Sequence, residues 1–313
     1  MARFVVLGAG AVGQGTAREL AGAGHTVRIV SRSGRGPAVA GVEAVRADAA
    51  DVEQLTSVSS GAAAIINALN PPSYTTWERD WPPLAQAALA AAERSGAGLV
   101  TVSNLYGYGL VEGPMREDRD LRPNGRKGEV RARMWEQALA AHREGRVRVT
   151  ELRASDYVGP GVGAQSLLNS MVIAPTLRGR PVWLVMGRGD VPHTWTDVRD
   201  TARLAAVLAT DDRSWGAAWH VPSGAARTVQ EVADEAARTC GRAPRRVHGI
   251  PRGVVTALGT VVPLLRELRE TRHQFERPFV LDSSRTAATF DLEATPWEQT
   301  LKETVAYLSA TAA

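Results

Sequence analysis

Short apolar runs recur along the first half of the chain, each followed by a break and then by apolar positions at helical spacing. The first, Arg3-Phe4-Val5-Val6-Leu7, meets Gly8-Ala9-Gly10-Ala11-Val12-Gly13 and continues into Gln14–Leu20, a pattern that predicts strand, tight turn and helix. Further strands are predicted over Thr26–Val30, Val42–Arg46, Ala63–Ala68 and Gly98–Val102, with a short helix after Asp51 and an alanine-rich helix over Leu84–Ser95. Pro71 and Pro72 end the fourth strand sharply, because proline restricts the residue before it. Strands alternating with helices imply right-handed crossovers and a parallel sheet covered on both faces, a doubly wound α/β fold. Beyond Gly161 the alternation gives way to a long helix, proline-containing connections and arginine-rich turns, a change of character along the chain. No internal repeat is present.

The glycines of the first turn have the spacing G-x-G-x-x-G. Gly8 permits the turn, Gly10 lets backbone approach a pyrophosphate, and Gly13 lets helix pack on strand. Ala11 and Val12 open the helix, whose free N–H groups and dipole favour an anion. A glycine-rich turn without a ligand is the plainer alternative, but the strand before and the helix after supply the context that a dinucleotide site needs. Which dinucleotide is read at the end of the second strand, where an NAD site carries a carboxylate for the ribose and an NADP site a cation for the 2′-phosphate. Here Ser31-Arg32-Ser33 stands there, with no carboxylate until Glu43, so NADP(H) is the expected cofactor. Asp48, at the carboxyl end of the third strand, either faces that cofactor or caps the next helix, a role Asp51 could also fill. Ala68, Leu69 and Asn70, where the fourth strand ends, complete the expected cofactor edge.

Composition narrows the partners. At 313 residues, 44% hydrophobic and 22% charged, the chain has material for one large core or two unequal ones. Its net charge of +4 comes from dispersed arginines without interleaved aromatics, which argues against nucleic acid and suits an anionic cofactor or substrate. A single cysteine, Cys240, excludes an intrachain disulfide, and the six histidines form no pair at metal-binding spacing, so no metal is expected. The longest apolar run, Val254 to Leu265, is too short to span a bilayer and contains Pro263. The first strand begins within three residues of the N-terminus, leaving no room for a signal peptide. A cytoplasmic protein without a membrane partner is the expectation.

Several later segments resemble one family in order. Ser103-Asn104-Leu105-Tyr106-Gly107-Tyr108-Gly109 is similar to the segment after the fifth strand of extended short-chain dehydrogenases/reductases, the NAD-dependent epimerase/dehydratase group. Arg153-Ala154-Ser155-Asp156-Tyr157-Val158-Gly159-Pro160-Gly161 resembles that family's stretch after the sixth strand. Gly187–Asp190, His193–Ala202, Trp219–Gly224 and Thr295-Pro296-Trp297 with the helix after it match its later pattern. The resemblance implies a Rossmann domain over residues 1–165 with a return segment near 192–221. It also implies a smaller C-terminal α/β substrate lobe from 166–191 and 222–313, and Tyr157 and Val158 beside the nicotinamide. A homodimer is a further expectation.

Family members that perform redox chemistry pair a Ser or Thr after the fifth strand with a Tyr, and a Lys four residues later, on the next helix. The tyrosine moves the substrate's hydroxyl proton and the ammonium lowers its pKa. The matching helix here, Arg126-Lys127-Gly128-Glu129-Val130-Arg131, has no tyrosine. Lys127 and Arg131 share a helix face in its place. A guanidinium does not titrate near neutrality, whereas a lysine desolvated beside other cations can act as a base. Both residues being solvated is the alternative. Ser103 is the retained hydroxyl, Tyr106 the first tyrosine to examine, and Tyr108 a packing residue. Trp183, Met186 and Trp195, with Trp77 and Trp81, are candidates to line a mouth for a small molecule with an aromatic or apolar surface. The leading expectation is an NADP(H)-dependent oxidoreductase with a non-standard site, acting on a carbonyl, alcohol or imine carbon. The alternatives are a cofactor-retaining epimerase, isomerase or lyase, and a redox-inactive cofactor-binding sensor.

Overall fold

β1 (Arg3–Leu7) is apolar from Phe4 to Leu7, and none of those side chains is more than 2% exposed, so the strand is covered on both faces. The computed structural model describes residues 1–71, 73–163 and 166–311. Pro72 and the expected boundary at residue 165 lie outside them. The first compact unit comprises Met1–Gly107, Arg126–Ala154 and Thr201–Val221; the second comprises Tyr108–Gly125, Ser155–Asp200 and Pro222–Ala313.

In the first unit β1 leads through α1 (Ala11–Gly22) to β2 (Thr26–Ser31) and β3 (Val42–Arg46). Then come α2 (Val52–Val58), β4 (Ala64–Asn67), α3 (Trp77–Ser95), β5 (Gly98–Asn104), α4 (Arg126–Arg143) and β6 (Val149–Ala154). The second unit contributes β7 (Asp156–Val158), α5 (Ala174–Leu177), β8 (Trp183–Leu184), β9 (Trp195–Asp197) and the start of α6 (Val198–Thr210). α6 runs back into the first unit, which β10 (Ala218–His220) completes. The remaining elements are α7 (Val229–Thr239), β11 (His248–Gly249), α8 (Arg252–Leu258), α9 (Pro263–Glu267), α10 (His273–Glu276), α11 (Ser284–Phe290) and α12 (Trp297–Thr311).

The central sheet has seven strands in the order β10-β6-β5-β4-β1-β2-β3, every pair parallel. Leu7 lies opposite both Val30 and Asn67, and Asn67 opposite Thr101, so the strands' carboxyl ends share one edge. The order reverses between β1 and β4, and a doubly wound sheet opens a crevice at such a switch point. β6 is buried along its whole length, and its two charges neutralise each other through Arg153 Nε–Glu151 Oε1 at 2.8 Å, both side chains 3% exposed.

Two helices differ from expectation. α3 begins at Trp77, well before Leu84, and passes through Pro82 and Pro83. Each proline withholds the N–H due to the carbonyl four residues earlier, and those carbonyls belong to Glu78 and Arg79, both exposed residues in the first turn of the helix. The long helix expected beyond Gly161 is a π-helical turn over Leu168–Ile173 running into the single turn of α5. Asn169 ties that turn down by donating from Nδ2 to the Gly159 carbonyl at 2.8 Å.

The second unit has its own core, in which Leu168, Val172, Ile173, Leu184, Val232 and Ala236 are at most 2% exposed. Met186 and Trp195 belong to it at 5% and 4%, so they pack the interior and line no mouth. Asp197, 3% exposed, accepts from Arg199 Nη2 at 2.6 Å and Thr300 Oγ1 at 2.7 Å, fastening β9 to α12. The Arg199 guanidinium, held by Asp197 and Glu303, titrates well above its ordinary range. Tyr108–Gly125 joins this unit through Met115, which donates to the Val280 carbonyl and accepts from Asp282 N–H, both at 2.8 Å.

Candidate active site

The three glycines of the first turn sit where three different constraints act. Gly8 has φ +100°, and a Cβ there would lie 2.8 Å from the Ala68 carbonyl oxygen. At Gly13 a Cβ would lie 1.9 Å from the Gly8 oxygen, closer than any atom can stand. Gly10, the residue before α1, has φ −76° and open space within 4 Å. The helix bonds begin only with Gln14 N–H to Gly10 O at 2.9 Å, so the N–H groups of Ala11, Val12 and Gly13 precede the ladder. No acidic side chain stands in the first turn and no side chain caps it. Closed at Gly8 and Gly13 and open at Gly10, the turn fits a pyrophosphate on the helix N-terminus.

At the end of β2, Arg32 is exposed and has no hydrogen bond or ion pair among the described residues. Ser31 is already engaged: its Oγ accepts from Arg35 N–H at 3.0 Å and donates to the Arg35 carbonyl at 2.9 Å, closing the loop that presents Arg32, and Ser33 Oγ lies 3.4 Å from it. Asp51 is the cap of α2, accepting from Gln54 N–H at 3.0 Å, and that bond holds its carboxyl below the ordinary range. Asp48 turns its carboxylate to Ala50 N–H at 3.0 Å and stays exposed beside the sheet edge. Ala68 extends the β1–β4 pairing by donating to Leu7 O at 3.0 Å, and Leu69 N–H bonds Asn67 Oδ1 at 3.3 Å as the chain turns towards Asn70.

The expected catalytic residues gather at the carboxyl end of β5 and along α4. Ser103 is 4% exposed on β5. Lys127 and Arg131 are 3% and 7% exposed, so the solvated alternative is excluded. What covers them is a row of aromatics, of which Trp77 and Trp81 were expected to line a mouth. Tyr74, Trp77 and Trp81 follow one another at helical spacing, Tyr74 stacked on Trp77 at 4.8 Å and Trp77 edge-on to Trp81 at 5.9 Å. The Lys127 ammonium lies 5.8 Å from the Tyr74 ring centre, and the Arg131 guanidinium 3.8 Å from Trp81 and 5.2 Å from Trp77. Trp77 and Trp81, at 3% and 0% exposure, are interior residues rather than lining of a mouth. Tyr106, held by its N–H on Asn104 Oδ1 at 3.1 Å, meets the Tyr74 hydroxyl oxygen to oxygen at 2.6 Å. That contact is a short hydrogen bond in which either hydroxyl can donate.

Tyr74 is the functional candidate that sequence reasoning missed. Its signal was present: aromatics at 74, 77 and 81 recur at steps of three and four, the spacing of one helical stripe, as Lys127 and Arg131 do at four. Tyr157 and Val158 lie on β7 in the second unit. Val158 is fully buried in that unit's core, and the Tyr157 carbonyl accepts from Ser166 Oγ at 2.6 Å. Among the described residues no group of three or more His, Cys, Asp or Glu is placed to hold a metal ion.

A seven-stranded parallel sheet with helices between its strands and G-x-G-x-x-G after the first defines a Rossmann-type α/β protein. Residues 4–219 match the model of the NAD dependent epimerase/dehydratase family, and the chain belongs to that family. Among solved structures it resembles MoeE5 in complex with UDP-glucose and NAD, at 22% identity and a TM-score of 0.80 over 99% of this chain and 100% of that one. It also resembles UDP-glucose 4-epimerase with UDP-glucose from Thermotoga maritima, at 18% and 0.80 over 99% and 100%. A third is dTDP-glucose 4,6-dehydratase from Bacillus anthracis in complex with NAD, at 18% and 0.80 over 99% and 97%. No curated protein matches the chain in sequence.

Proposed function

We propose that this chain is an NADP(H)-dependent oxidoreductase of the extended short-chain type, acting on a carbonyl, alcohol or imine carbon of a small molecule. In this reading the first unit binds the cofactor and the second the substrate. The observation that carries it is the burial of Lys127 and Arg131, on the helix where the family keeps its tyrosine and lysine, against a hydroxyl pair made by Tyr74 and Tyr106. Gly8, Gly10 and Gly13 with the N–H groups of Ala11 and Val12 would hold the pyrophosphate, and Arg32 supports the 2′-phosphorylated form. Asp48, Ala68, Leu69 and Asn70 would flank the cofactor along the sheet edge.

Bound NADP(H) supplies the hydride chemistry. The chain's task is the proton. Ser103 would hold the substrate oxygen by its hydroxyl, and Tyr106 would give or take the proton, with Tyr74 sharing it across their 2.6 Å bond. Lys127, beside the Tyr74 ring, favours negative charge on the pair, and Arg131 braces the aromatics. Tyr106→Phe, Lys127→Met and Ser103→Ala test this by turnover with NADPH across pH. Loss of the proton donor costs at least ~100-fold and removes one limb of the pH profile. Full rate in all three variants overturns the assignment.

A cofactor-retaining epimerase or dehydratase is the second reading, favoured by the NAD complexes among the structural neighbours. Denaturing the purified protein decides between them: released stoichiometric dinucleotide supports retention, and exchange with added NADPH supports net redox turnover.

A further inference from the structure

The longest apolar run of the sequence does not retreat from water. Of the eight large hydrophobic side chains that the described residues leave exposed, five stand in it: Val254 at 48%, Leu258 at 44%, Val261 at 76%, Val262 at 39% and Leu264 at 50%. The run folds as two short helices, α8 and α9, joined by a turn that Val262 N–H to Leu258 O closes at 2.9 Å. Val255, 4% exposed, packs inward and anchors the hairpin. A run of this length is ordinarily a buried core helix or an interfacial segment. Exposure removes the first of these.

The flanks are net cationic, with Glu267 and Glu270 as the carboxylates after the tip and Arg266 Nε 4.0 Å from Glu267 Oε1. Arg246 and Arg252 before the tip and Arg266 and Arg269 after it are exposed, and the side chains of Arg252 and Arg269 have no hydrogen bond or ion pair among the described residues. Trp183, 51% exposed, stacks on His248 at 4.7 Å just ahead of α8. An apolar tip with arginines at its base is the chemistry of a segment that enters the headgroup layer: aliphatic side chains meet the acyl boundary and guanidinium groups meet phosphate.

We propose that the α8–α9 hairpin docks this protein reversibly on an anionic phospholipid surface without spanning it. Among the described residues no helix is long and apolar enough to cross a membrane. A symmetric contact with a second copy is disfavoured by charge, since it would bring one arginine rim against another. The inference is independent of the proposed activity, and its test needs no substrate.

Sedimentation of the full chain with phosphatidylcholine vesicles, with and without phosphatidylglycerol, reads it directly. The chain is expected to bind the phosphatidylglycerol vesicles and to release them as salt rises. Val261→Asp with Leu264→Asp, and separately Arg252→Glu with Arg269→Glu, should each lower binding at least ~10-fold with unchanged thermal melting. The arginine pair keeps the test sound if the aspartate variant fails to fold. No binding to either vesicle, equal binding to the neutral one, or binding that survives both variants overturns the proposal. So does a chain that ignores vesicles and forms a dimer in solution that the aspartate variant splits.

Discussion

At Gly10 and Gly13 the same small side chain is required for unrelated reasons, and substitution separates them. A Cβ at Gly13 collides with the turn itself at 1.9 Å, whereas at Gly10 it meets nothing and the backbone φ of −76° suits any residue. Gly10→Val is therefore expected to fold, with melting like the parent, and to lose NADPH binding in titration because its methyl groups occupy the pyrophosphate's space. Gly13→Val is expected to fail at folding. Arg32→Ala tests the other end of the cofactor. Loss of a charge-assisted contact costs ~1.5–3 kcal/mol, and screening at an exposed arginine favours the lower end, about tenfold in Kd for NADPH. Affinity for NADH should not change; equal affinity for both cofactors in the parent chain would sink the NADP(H) reading. The turn itself was legible, because the conformations of Gly8 and Gly13 depend on a few neighbours in sequence. The pairing of Tyr74 was not, although its aromatic stripe is visible, because its partner Tyr106 is 32 residues away and only folding brings the hydroxyls together.

At the scale of elements, α3 and α4 face each other through complementary stripes. Tyr74, Trp77 and Trp81 on one side meet Lys127 and Arg131 on the other, and the planar guanidinium stacked on Trp81 at 3.8 Å is the tightest of these contacts. A desolvated cation over an indole is worth ~2 kcal/mol, and lysine cannot reproduce the planar stack. Arg131→Lys is expected to lose ~1–2 kcal/mol in urea unfolding. Arg126→Lys, at an exposed site on the same helix, should stay within about 0.5 kcal/mol. Equal effects would mean that the stack contributes nothing. β1 was legible from its unbroken apolar run, β2 to β5 from shorter apolar stretches between turn signals, and the first helix from its glycines. α3 was read too short because Pro82 and Pro83 look like breakers in sequence, while the exposure of Glu78 and Arg79, whose carbonyls they leave free, is a property of the fold. The π turn at Leu168–Ile173 was likewise hidden, since its hold on Gly159 comes from Asn169 and not from periodicity.

For the whole molecule, the doubly wound sheet followed from alternation alone, whereas the strand order was not read from the sequence, because which strands pair is settled by contacts between distant segments. The excursion Tyr108–Gly125, which the Met115 pairing ties to residues 280–282, has no periodic signal and was not legible. The order of the sheet also sets a schedule. β6 ends at Ala154, yet the strand that covers its outer edge, β10, begins at Ala218, more than 60 residues later. At roughly 5–20 residues per second, a ribosome needs several seconds to cross that interval. Throughout it the nascent chain carries six strands with the last edge bare, open to pairing with a neighbouring chain. No single cut between those strands leaves a sheet that is closed at β6, so this fold cannot be made from a leading fragment and is finished only when the later part of the chain returns.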